Sequence, residues 1–196
     1  MPKRCFGTVE EFKEAIPEEE DLLFDGTENL EQRPKNYNNQ KDMYSGKKHT
    51  HTSVAMILSN PQKWIYYVSF LYVGSQVDFG IFKEEFDPNL DWFSQYKIWV
   101  DLGFVGFDKY YNTKELNIGK KKPRKSTNNP NPTLTDEEKQ ENKRVSKTRI
   151  YVEHAIGGMK RFRIITDRAR GKCAKLKNDI IGICAGLHNY KLSLKT

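Results

Sequence analysis

Residues 97–106 read KIWVDLGFVG, and residues 21–28 read DLLFDGTE. In each, a short apolar run (Ile98 to Val100, Leu22 to Phe24) ends at an aspartate, with a glycine at once or one residue later: Asp101-Leu102-Gly103 and Asp25-Gly26. A few apolar residues closed by an acid and a glycine predict a buried strand with a carboxylate at its C-terminal end. One such stretch says little. Two in one chain predict neighbouring strands whose acids meet.

The rest of the chain fits around those strands. Residues 50–59 (THTSVAMILS) and 63–73 (KWIYYVSFLYV) are rich in β-branched and aromatic residues, and Asn60-Pro61 between them predicts a hairpin turn. Residues 8–17 and 77–86 read as short helices, each closed near a proline. Residues 29–46 are polar and irregular, while residues 119–132 (GKKKPRKSTNNPNP) predict an exposed, partly mobile basic loop. A long helix then starts at Thr135, which forms a capping box with Glu138 and runs to about Arg161, with Gly157-Gly158 as a possible bend. A last amphipathic helix covers residues 179–192. Strands interleaved with helices predict an α/β fold. Residues 1–20 read as an N-terminal extension and residues 21–196 as the principal domain.

Glu153 lies in the middle of the long helix. With Asp25 and Asp101 at strand ends, a helix packed across them offers a third acid. Three crowded carboxylates repel one another, and a divalent cation relieves that conflict; an oxygen donor set suits Mg²⁺ or Mn²⁺. Two such ions support in-line phosphoryl transfer. Arg149 and Lys160 share a helical stripe with Glu153, at i−4 and i+7. That stripe is either an ordinary surface ion pair or a set of phosphate contacts beside a metal-bound acid.

The net charge of +7 is uneven: residues 1–45 carry 6 basic against 11 acidic residues, and residues 119–177 carry 18 against 6. A basic excess that long, rich in arginine, suits a phosphate-binding face. The cysteines Cys5, Cys173 and Cys184 form no metal or disulfide pattern. No stretch reads as a membrane span or signal peptide, so a soluble intracellular protein is expected.

Taken in order, LLFDGTE (22–28), QRP (32–34), YSGKKHTHT (44–52), YVGSQVD (72–78), WVDLGFVG (99–106), KKPRK (121–125), RIYVEHAIGGMKRFRIITDR (149–168) and AGLHN (185–189) resemble insertion-sequence DDE transposases, in the branch akin to the eukaryotic Harbinger transposases. The resemblance covers nearly the whole chain from about residue 20. It implies a ribonuclease-H-like fold and assigns Asp25, Asp101 and Glu153 as the catalytic, metal-binding acids, with Mg²⁺ or Mn²⁺, in two ions, as cofactor. Relatives carry a Tyr-Arg-Glu-Lys signature on the last acid's helix; Arg149, Glu153 and Lys160 fit it, and Ser146 departs from the tyrosine. Asp78 falls where many relatives have an acid. Its short side chain suits a helix start, with an auxiliary role near the acids as the alternative. His154 and His188 read as packing or hydrogen-bonding residues.

The resemblance also implies DNA as partner (element terminal repeats and target), a homo-oligomer on DNA, and a nucleoid or nuclear location according to host. Relatives place a helix-turn-helix region before the first acid, so the reading here is of the catalytic portion of a split or truncated transposase, with a separate helix-turn-helix polypeptide as one candidate partner. Lys121, Lys122, Arg124, Arg149, Lys160, Arg161 and Arg163 are the expected DNA contacts. The leading expectation is metal-dependent cleavage and strand transfer. The alternative is a truncated or decayed transposase acting as a non-catalytic DNA-binding or inhibitory protein. A basic domain that binds RNA or another protein comes third.

Overall fold

The computed structural model describes residues 1–18, 20–127, 130–171 and 173–195, so positions 128 and 129 of the basic loop lie outside the described residues. In chain order the elements are α1 (Val9–Ala15), β1 (Asp21–Leu30), α2 (Tyr37–Asp42), β2 (Tyr44–Ser45), β3 (Thr50–Ser59), β4 (Ile65–Val68), β5 (Tyr72–Val73), α3 (Asp78–Glu85), β6 (Lys97–Val100), β7 (Glu115–Ile118), α4 (Asp136–Met159), α5 (Arg163–Thr166) and α6 (Ala174–Ser193). The sheet runs β2-β3-β1-β6-β7, with β4 and β5 also paired to β3. β1, β6 and β7 are parallel and β3 is antiparallel to β1. This mixed sheet, flanked by helices, is ribonuclease-H-like.

Alternation along the strands decides the two faces. Leu22 and Phe24 point to one side with Met56, Leu58, Ile98 and Val100, where α1, α3 and an aromatic cluster cover them. Phe12 and Ile16 of the first twenty residues are fully buried in this cluster; Phe12 meets Phe86, Trp92, Phe93 and Tyr96 edge-on at 5.5–5.8 Å. Leu23, Ala55, Ile57 and Trp99 point to the other side, under Val152, Ala155 and Met159 of α4 and Ile181, Cys184 and Ala185 of α6. Each face thus has its own core.

The hairpin forms, but its second strand is broken into β4 and β5. Ser69 is the cause: its hydroxyl accepts the Met56 N–H (2.8 Å) and donates to the Phe70 carbonyl (2.7 Å), so a side chain replaces a rung of the ladder. α4 is continuous through Gly157 and Gly158 to Met159. Gly158 is there for room. A Cβ would lie 2.3 Å from Nδ1 of His188, whose ring is held by a 2.9 Å contact from Nε2 to the Lys63 carbonyl.

β1 differs most from its expected form. It does not end at Asp25; it continues to Leu30 because residues 23–30 stay paired with β3. β6 pairs with β1 only from Asp21↔Lys97 to Leu23↔Trp99 and stops at Val100. Past that point, among the described residues, one edge of β1 has no neighbouring strand. Lys160 Nζ donates to the Glu28 carbonyl there (2.8 Å). Farther along, Ala169 donates to the Leu30 carbonyl (2.8 Å) and accepts from the Gln32 N–H (3.0 Å).

Just beyond β1, Glu31 is 3% exposed and tied to α6 by Lys177 Nζ at 2.5 Å, with Ser53 Oγ donating at 2.9 Å. Among the described residues, no helix is long and apolar enough to cross a membrane.

Candidate active site

The β1–β6 register sets the chemistry. Leu23 lies beside Trp99, so two residues on, Asp25 comes alongside Asp101 where the two strands part. Asp25 follows Leu23 in pointing toward α4, and α4 supplies Arg149 between the two acids. Its Nη2 is 3.7 Å from Asp25 Oδ1 and its Nη1 is 3.5 Å from Asp101 Oδ1. The Arg149 side chain is only 13% exposed and its Nε is buried without a partner. Each aspartate also accepts the N–H of the next residue, Gly26 at 3.0 Å and Leu102 at 2.6 Å.

One helical turn after Arg149, Glu153 lines a cleft of about 530 Å³ with Asp25, Gly26, Glu28, Lys47, Lys48 and Lys160. Asp101 lines a neighbouring cleft of about 510 Å³ with Asp78, and Gly26, Glu28 and Lys47 border both. Asp25 shares the Arg149 guanidinium with Asp101 and a cleft with Glu153, which makes it the junction among the three. Among the described residues, no three His, Cys, Asp or Glu side chains lie close enough together to hold a metal as they stand. The donor chemistry at the junction nevertheless fits a hard divalent ion. The acids are all carboxylates, and Asp25 Oδ2 accepts no hydrogen bond among the described residues.

Asp78 is the first residue of α3, with Val77 at the cap position, and forms no capping bond. Its carboxylate lies against Gly26 instead: a Cβ on Gly26 would be 2.2 Å from Asp78 Oδ1. Asp78 thus stands at a helix start, as expected, and its carboxylate also reaches the backbone beside Asp25. Burial raises its carboxyl, with Lys47 opposing.

Burial is also the main cause that pushes the Asp25 carboxyl up to about 6; Arg149 opposes, and Asp78 and Asp101 add to it. A raised carboxyl stabilises the fold below the ordinary carboxylate range, and that stability is lost as pH rises through about 6. Without divalent metal, the protein is expected to lose about 2 kcal/mol relative to Asp25→Asn between roughly pH 4 and pH 6. Thermal unfolding of both proteins in EDTA across that range checks this. Parallel curves would rule it out.

The expected DNA contacts are dispersed. Lys121, Lys122 and Arg124 are exposed in the loop after β7. Near the start of the loop, Lys120 exchanges two hydrogen bonds with Asn142 of α4, eleven residues and about 16 Å of helix before Glu153. Arg149 is turned inward onto the acids. Lys160 lines the Asp25 cleft, held on β1, and burial lowers its ammonium. Arg161 is exposed, and Arg163 points outward beside Asp167 at 3.3 Å. Lys47 and Lys48 border the acids although sequence reading did not single them out. They sit between β2 and β3, inside the YSGKKHTHT segment that contributes to the resemblance, and the pairing of those strands brings them to β1.

The sheet order, the two aspartates at parted strands and the acid-bearing helix across them define a ribonuclease-H-like domain. The chain belongs to the DDE superfamily endonucleases, whose family model matches residues 24–189. It is 29% identical over 184 residues to the probable transposase for insertion sequence element IS702 of Microchaete diplosiphon, a match covering 92% of this chain and 60% of that one. The chain thus spans about 60% of the length of this curated relative. No solved structure matches.

Proposed function

We propose that this domain is the catalytic part of a transposase that cuts DNA at the ends of a mobile element and joins the freed 3′-hydroxyl to target DNA. The observation that carries the reading is the Arg149 bridge: two aspartates from parted strands, joined through one guanidinium to the helix that bears Glu153. Membership of the endonuclease family and the likeness to an insertion-sequence transposase support it.

In this reading Asp25, Asp101 and Glu153 hold Mg²⁺ or Mn²⁺. A pair of such ions, held by these acids, would supply activation of a water or a 3′-hydroxyl and stabilisation of the leaving oxygen. Asp25 comes from the sheet core and is rigidly placed. Glu153, exposed on α4, closes the site from the other wall. Arg149 neutralises the aspartates until the ions arrive. Lys47 and Lys48 line the cleft where a phosphate would enter. DNA is the substrate, and assembly of copies on paired DNA ends belongs to the same proposal.

Supercoiled plasmid incubated with the purified protein tests the reading. Nicking is expected with Mg²⁺ or Mn²⁺ and none in EDTA. DNA binding with no nicking in either metal would favour the non-catalytic alternative.

A further inference from the structure

Glu153 borders a third cleft, of about 430 Å³, on the opposite flank of α4 from Asp25. Its four cations come from three separate places: Lys63 in the β3–β4 turn, Arg161 just after α4, and Lys191 and Lys195 at the end of α6. None of the four makes an ion pair among the described residues.

Two helix carboxyl ends converge on the cleft, and helix ends attract cations without any ligand. The charges decide whether that is enough. Two ends supply about −1 between them, and Glu153 another −1. Against four cations, a surplus of about +2 remains. Lys63 also departs from its neighbours: its φ of 69° is left-handed, and its carbonyl is engaged by His188. The turn is therefore fixed, and its lysine is held at the rim of the cleft.

We infer that this cleft seats backbone phosphates of the strand being cut, on the far side of Glu153 from the Asp25 cleft, with Lys63, Arg161, Lys191 and Lys195 as the contacts. The inference rests on the function proposed above and extends it to a strand path. Lys47, Lys48 and Lys160 lie on one side of Glu153, and the four cations lie on the other. A strand crossing Glu153 runs from one basic cleft into the next. Three of the four residues lie outside the basic run between residues 119 and 177, so charge counting along the chain passes over them.

The test is the salt dependence of duplex binding in EDTA, where nothing is cut, for the wild type and for Lys191→Gln/Lys195→Gln. Both lysines are exposed near the end of α6, outside the cores. Removing two phosphate contacts is expected to weaken binding about tenfold and to flatten the slope of log affinity against log salt by about 1.8. The comparison protein, Lys13→Gln/Lys109→Gln, loses the same charge away from any cleft and is expected to keep the wild-type slope. A cleft variant with an unchanged slope, or a comparison variant flattened equally, would overturn the inference. If the wild type nicks plasmid while the cleft variant keeps its slope, the strand path alone fails. If the wild type binds no duplex, the strand path and the proposed function fail together.

Discussion

Asp25→Asn is expected to lower metal-dependent nicking by about a thousandfold or more while leaving DNA affinity near that of the wild type. The magnitude follows from losing one anionic ligand to ions that supply several kcal/mol of transition-state stabilisation. The substituted amide fills the same space and removes a charge that burial already penalises, so the folded state does not suffer. A dead but well-folded protein separates chemistry from stability. Asp101→Asn and Glu153→Gln are expected to behave alike, as Asp101 and Glu153 are exposed and support no core. Full nicking by any one of the three would remove that residue from the mechanism.

Lys177→Met is expected to lower stability by about 3 kcal/mol. Glu31 is nearly inaccessible and depends on Lys177 and on the Ser53 hydroxyl. Without the ammonium, a buried carboxylate is left with one neutral donor. Adding Glu31→Gln is expected to restore much of the loss, since the stranded charge is then gone. Chemical denaturation of the two single variants and the double variant measures both effects. A loss below about 1 kcal/mol for Lys177→Met would mean that the pair is not a significant tie between β1 and α6.

The strands bearing Asp25 and Asp101 were legible because fully buried strands leave unbroken apolar runs, and an acid closing such a run is conspicuous. The helix around Glu153 was legible from the capping box of Thr135 and Glu138, which forms as expected. The length of β1 was not. Residues 26–30 mix glycine, polar and charged residues, and only pairing with β3 keeps them extended. Asp78 illustrates a different difficulty. A short acid at a helix start fits a capping role on local grounds, whereas Gly26 leaving space for it on another element is a tertiary fact. Arg149 was readable as a neighbour of Glu153 along the helix, but its insertion between two aspartates depends on how α4 crosses the sheet.

The bare edge of β1 beyond Asp25 has a consequence for how copies of the molecule meet. Exposed backbone on a sheet edge invites a strand from another chain, a route to aggregation that native folds block with charge or cover. Here the guards are Lys160, on the Glu28 carbonyl, and the strap at Ala169, on Leu30 and Gln32. The gap that forms the cleft beside Asp25 is therefore also an edge that must be kept from pairing with another chain. Lys160 serves colloidal stability as well as the cleft, and changing it alters both.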